Sequence, residues 1–92
     1  MKVRDVKNVL LIEMGEARAN DTLTKISHWV RQLHAVKEYA TDDHGNKRAL
    51  ETLAVLKIAK TEERGSHVVA ALTEEGNDLY NDFLGKGYYG SS

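Results

Sequence analysis

Between residues 46 and 82, the spacing of apolar side chains changes in a way that limits the possible folds. A helical period over residues 46–55 gives way to alternation, which predicts strands at 57–62 and 66–72. The polar turn between these strands ends at Gly65, which can adopt a positive φ angle. The pattern therefore predicts a helix followed by a β-hairpin. The residues of one parity, which we expect to face the core, are Leu56, Ile58, Val68, Ala70 and Leu72.

Helices are predicted on both sides of this hairpin. Apolar residues recur at intervals of three and four from residue 3 to about residue 19. N-cap candidates at 20–22 then precede a second helix that should run to about Tyr39. The last helix starts at Thr73, followed by two acidic residues that interact favourably with the helix dipole. We therefore expect an α+β fold, mostly α, with three helices, a two-stranded hairpin and a C-terminal helix.

The length and composition of the chain set further limits. Its 92 residues suit one domain, expected over 1–84, and the glycines and serines of 85–92 predict a flexible C-terminal tail. No apolar run approaches the ~20 residues of a membrane span, and the N-terminus lacks the pattern of a signal peptide. The absence of cysteine excludes disulfides and thiolate metal sites and fits a cytoplasmic protein.

The charges are distributed unevenly, although the net charge is only −1. Residues 22–60 hold seven basic and four acidic side chains, whereas residues 61–92 hold two basic and six acidic ones. A local positive face on a near-neutral protein is compatible with binding a polyanion.

No sequence pattern points to catalysis or to a cofactor. We find neither a pairing of nucleophile and base nor room for a large pocket in so small a core, so we expect a protein that is not an enzyme. His34 and Glu38 could share a metal ion, as could His44 with Asp42 or Asp43. Because neither set supplies three ligands by its spacing, we expect no metal site.

Two motifs carry a resemblance to a known family. The sequence RALETL at 48–53, with Ile58 opening a strand, and LTEEG at 72–76 resemble the winged-helix transcription regulators of bacteria, archaea and archaeal viruses. The match covers about 40 residues, and Lys57 stands where the family usually has a glycine before the first wing strand. The resemblance implies a winged helix-turn-helix fold, with a recognition helix in the major groove of double-stranded DNA and a wing on the adjacent backbone. It implies DNA contacts from Lys47, Arg48, Glu51, Thr52, Lys60, Arg64, Ser66 and His67.

The first hypothesis for function is a small DNA-binding transcription regulator that acts as a homodimer. One domain of this size makes few DNA contacts, and two-fold symmetric half-sites double them. The alternative is a winged-helix module that binds a protein partner, as an accessory subunit of a replication or transcription complex. The acidic Glu62 and Glu63 beside Arg64 favour that alternative. The first or last helix would form the dimer interface, with apolar candidates Tyr80, Phe83, Leu84, Tyr88 and Tyr89.

Overall fold

The structure of the protein is a computed structural model that describes residues 1–90. In chain order, these residues form α1 (Val3–Met14), α2 (Glu16–Val36), β1 (Tyr39–Thr41), α3 (His44–Val55), β2 (Ala59–Arg64), β3 (His67–Leu72) and α4 (Glu74–Gly85). The strand order in the sheet is β1-β3-β2, and both strand pairs are antiparallel. This small, mostly helical architecture confirms the predicted α+β class. No helix within residues 1–90 combines the length and the apolar character needed to cross a bilayer.

The boundary between the first two helices differs from the prediction. Gly15 ends α1 with a φ angle of +79°, and α2 already begins at Glu16. The predicted N-cap at 20–22 is therefore wrong, because these residues lie inside α2. The physical reason is Ala19, which is fully buried four residues before Leu23 and so extends the apolar stripe of α2 toward its N-terminus.

A short strand between α2 and α3 was not predicted. The second helix ends at Val36 because Lys37 has a φ angle of +65°, and the chain then enters β1. Tyr39 pairs with Ala70, and its ring meets that of Trp29 edge-on at 5.4 Å between centroids. Three residues are too few to show alternation, so a sequence pattern cannot reveal a strand of this length.

The predicted hairpin is present, with its strands shifted by one or two residues. Ile58, Val68 and Ala70 are buried as expected, whereas Leu56 and Leu72 are only partly buried at the edge of the core. The first hairpin strand starts at Ala59 instead of residue 57, because Lys57 turns the chain with a φ angle of +64°. This left-handed conformation favours glycine, which explains the glycine expected at this position from the family resemblance.

The LTEEG motif attaches the start of α4 to the hairpin. The Thr73 hydroxyl accepts a hydrogen bond from the Gly76 amide and lies 2.6 Å from the Lys57 carbonyl oxygen and 3.0 Å from that of Ile58. The Thr73 amide also donates to the Ile58 carbonyl, at 3.1 Å. A Cβ atom on Gly76 would lie 2.0 Å from the same oxygen, so only glycine allows this approach.

The C-terminal segment folds back on the helices, unlike the tail predicted from residue 85. The Tyr89 hydroxyl donates to the Ser27 carbonyl oxygen at 2.7 Å, and the Tyr88 ring packs edge-on against Phe83. Burial raises the pKa of Tyr89 above its usual value; the neighbouring Tyr80 adds to this shift and Arg31 opposes it. The remaining residues of the predicted tail, Ser91 and Ser92, lie outside the described residues.

Candidate nucleic-acid interface

The third helix is fixed from its N-terminus and from its buried face. The Asp43 carboxylate caps it by accepting a hydrogen bond from the Asn46 amide at 2.9 Å. Leu50 and Leu53 are fully buried and hold one side of the helix against the core. The opposite side of α3 therefore faces solvent in a defined orientation.

The exposed side of α3 carries four residues at helical spacing, which we call the α3 stripe: Arg48, Glu51, Thr52 and Val55. Positions i, i+3, i+4 and i+7 form a continuous line along one face of a helix. Within residues 1–90, neither Arg48 nor Glu51 forms a salt bridge, so both charges are available to a ligand. The Thr52 hydroxyl donates to the Arg48 carbonyl oxygen at 3.2 Å. Val55 is 79% exposed.

The α3 stripe borders a wide, open groove between α2 and α3, which we call the α2–α3 groove. Its volume is about 770 Å³, and it is lined by Arg18, Lys25, Arg48, Ala49, Glu51, Thr52 and Val55. Arg18 and Lys25 lie two helical turns apart on the same face of α2 and bring two cations to the wall facing Arg48. Lys25 has an exposed salt bridge to Asp21 at 3.3 Å, which competes only weakly with a polyanion. The groove thus has three cationic side chains from two helices.

Sequence reasoning missed the contribution of α2 to this surface. The seven-residue spacing of Arg18 and Lys25 is a signal that both occupy one helix face. It does not show that this face adjoins α3, because that depends on how the helices pack.

Two of the predicted site residues, Lys47 and Ser66, contact each other. The Lys47 ammonium group donates to the Ser66 carbonyl oxygen at 2.7 Å and connects α3 with the hairpin turn. This hydrogen bond uses one of the three donors of Lys47, so the side chain holds the turn in place and can still offer a donor to a ligand.

The predicted wing residues lie on the solvent-facing side of the hairpin, which we call the hairpin face. Lys60 and Arg64 alternate with Glu62 along β2, and His67 pairs with Arg64 across the turn. The Arg64 guanidinium lies 3.0 Å from a Glu62 carboxylate oxygen and 4.0 Å from one of Glu38. Two carboxylates therefore offset the charge of the one arginine expected to reach DNA from the wing. Arg64 lines a shallow depression with Glu38 and Glu62, whereas the α3 stripe lines the α2–α3 groove.

The candidates for the dimer interface divide into buried and exposed residues. Phe83 is 0% exposed and belongs to the core, so its assignment to an interface is wrong in this fold. Its neighbour Leu84 is 46% exposed, and Tyr88, which follows the end of α4, is 39% exposed. Tyr80 and Tyr89 are half-buried and stack on each other at 5.5 Å between ring centroids. Leu84 and Tyr88 are thus the candidates with the most free surface.

The histidines considered for metal binding do not gather ligands around them. The His34 ring stacks on Tyr80 at 3.8 Å between centroids, nearly parallel to it. Among residues 1–90, no three acidic or histidine side chains come close enough to hold a metal ion together.

Comparisons of the chain with protein-family models, with curated proteins and with solved structures gave no match. The functional inference therefore depends on the geometry and charge of the surfaces described above.

Proposed function

We propose that the protein binds double-stranded DNA through the α3 stripe and the α2–α3 groove, and that it is a small winged-helix transcription regulator acting in the cytoplasm rather than an enzyme. The observation that carries the proposal is that Arg18, Lys25 and Arg48 line one open groove. Among the described residues, neither Arg18 nor Arg48 forms a salt bridge. Cationic side chains on an open surface can neutralise backbone phosphates, and such contacts supply much of the affinity of DNA-binding proteins.

The order of elements from α3 onward supports a winged-helix arrangement. The hairpin directly follows α3, and the hydrogen bond from Lys47 to Ser66 fixes the hairpin turn beside the start of that helix. In a winged-helix protein, the helix enters the major groove and the hairpin touches the neighbouring backbone. We assign base contacts to the α3 stripe and backbone contacts to Arg18, Lys25 and Lys47. Lys60, Ser66 and His67 would lie along the adjoining backbone, with a smaller role for Arg64, because the two carboxylates beside it repel phosphate.

We further propose that two copies bind together through the end of α4. Leu84, near the end of α4, and Tyr88, three residues after α4 ends, are both exposed apolar side chains. Burying them against a second copy would form a symmetric dimer, and a two-fold symmetric DNA site is bound by two α3 helices, one from each copy. Size-exclusion chromatography of Leu84→Glu tests this proposal: the variant should elute as a monomer, and an unchanged dimer would place the interface elsewhere.

The direct test of DNA binding is a titration with a random-sequence duplex at two salt concentrations. The wild-type affinity should fall steeply with salt, and the double variant Arg18→Ala, Lys25→Ala should lower the slope of log K against log salt by about 2, since each lost phosphate contact removes about 0.9. Arg4→Ala, which removes an exposed cation from α1, is the matched control and should leave the slope unchanged. An affinity that does not depend on salt would refute the proposal.

A specific observation favours the alternative function, a module that binds a protein partner. Ile12 is 87% exposed on α1, and Val9, three residues earlier on the same helix, is 44% exposed. Adjacent exposed apolar side chains are typical of protein interfaces. If no duplex binds in the titration, the α1 surface around Ile12 becomes the favoured site, and the partner is a protein.

A further inference from the structure

Val55 is an unusual member of the α3 stripe because it is a large apolar side chain among charged and polar ones. It is the last residue of α3 and is 79% exposed, although hydrogen bonds fix the turn that follows it. The Leu56 amide donates to the Thr52 carbonyl and the Ile58 amide to the Leu53 carbonyl, at 3.1 and 2.9 Å. These hydrogen bonds fix the backbone around Val55, so its isopropyl group projects in a defined direction.

The neighbours of Val55 indicate that this stripe faces base edges instead of phosphates. Glu51 lies in the middle of the stripe, and its carboxylate would repel a phosphate group. The Thr52 hydroxyl already donates its hydrogen to the Arg48 carbonyl oxygen, so it has no donor left for a phosphate. In the major groove, by contrast, a carboxylate can accept from the amino group of cytosine, and an aliphatic side chain can contact the methyl group of thymine.

We propose that Val55 determines sequence specificity by packing against the C5-methyl group of a thymine in the major groove. This inference rests on the proposed DNA-binding function and deepens it. From Arg48 to Val55 the helix rises about 10 Å, which corresponds to about three base pairs of duplex. For a helix that follows the major groove, the thymine contacted by Val55 therefore lies about three base pairs from the base contacted by Arg48.

The test removes single methyl groups from the DNA. Duplexes of 20 base pairs are selected from a random library with the wild-type protein, and each thymine in turn is replaced by deoxyuridine, which lacks only the C5-methyl group. At one position in each half-site, the affinity of the wild-type protein should fall about fourfold, the effect of one buried methyl group. Val55→Ala should reduce this ratio to less than about twofold, and Val55→Ile should retain it.

Val36→Ala is the matched control. Val36 is also an exposed valine at the end of a helix, but it lies in α2, outside the α3 stripe. It should leave the fourfold ratio unchanged. Binding without any methyl-sensitive thymine would overturn the role of Val55 and leave DNA binding intact, as would a ratio that persists in Val55→Ala. If no duplex is selected at all, the proposed function itself fails, and the role of Val55 fails with it.

Discussion

The contact between α4 and the hairpin predicts that Gly76→Ala is strongly destabilising. The new Cβ atom would lie 2.0 Å from the Ile58 carbonyl oxygen and 3.0 Å from a Leu72 methyl carbon. Carbon and oxygen atoms normally approach to no less than about 3.2 Å, so the start of α4 would have to move outward by about 1 Å. That shift would stretch the hydrogen bond from the Thr73 amide to the Ile58 carbonyl and those of the Thr73 hydroxyl.

The cost follows from these contacts. Overpacking against a backbone atom costs about 1–3 kcal/mol, and each weakened hydrogen bond about 1 kcal/mol. The higher helix propensity of alanine returns about 1 kcal/mol. We therefore expect a loss of about 2–4 kcal/mol, which lowers the midpoint of thermal unfolding by roughly 10–30 °C in a domain of this size.

The assay is urea unfolding followed by circular dichroism, with Gly85→Ala as the control in the same helix. Gly85 has no atom within 4 Å of its potential Cβ position and no positive φ angle, so the control should be neutral or up to about 1 kcal/mol more stable. Equal stabilities of the two variants would refute the close approach of α4 to Ile58.

Three further predictions concern backbone strain, a helix cap and a buried phenol. Lys57→Gly should stabilise the protein by about 0.5–1 kcal/mol in urea unfolding, because glycine removes the strain of a positive φ angle; a loss of stability would contradict that conformation. Asp82→Ala should cost about 1–2 kcal/mol in the same assay, because the Val3 amide loses its acceptor at 2.8 Å. Asp78→Ala, at an exposed position of the same helix, is its control. Equal losses of stability in the two variants would contradict the hydrogen bond between Asp82 and the Val3 amide. The raised pKa of Tyr89 predicts that stability falls as the pH rises above ~10. In that range the phenol loses its proton more readily in the unfolded chain than in the folded one, so deprotonation favours unfolding. Tyr89→Phe should show a shallower fall between pH 9 and 11, and identical pH profiles would contradict the burial of the hydroxyl.

Much of the fold follows from local sequence patterns. Alternation places Val68 and Ala70 on the buried side of β3, and these positions depend only on neighbouring residues. It was wrong for the first hairpin strand, because Ile58 is buried just before β2 begins and Ala59, of the opposite parity, is buried as well. The LTEEG motif likewise predicted the start of α4, because Thr73 caps the helix with its own side chain. Phe83 shows the limit of such reasoning: both Phe83 and Leu84 fit the apolar side of the helix, but only packing decides that the first is buried and the second is half-exposed.

The candidate site was harder to predict because it depends on contacts between distant parts of the chain. The sequence identifies Arg48 as an exposed helix residue, but only the tertiary structure shows that Arg18 lines the same groove. Similarly, the sequence places Glu62 next to Arg64, whereas the approach of Glu38 depends on the turn at Lys37 that leads into β1. The charges available to a ligand are therefore a property of the tertiary structure.

The most direct test of the account is a nuclear magnetic resonance titration of the isotope-labelled protein with duplex DNA. The account predicts that chemical-shift changes concentrate at residues 48–55 of α3 and around Arg18 and Lys25 of α2, with smaller changes at the hairpin turn. Changes centred on Ile12 of α1, or a spectrum that DNA leaves unaltered, would contradict it.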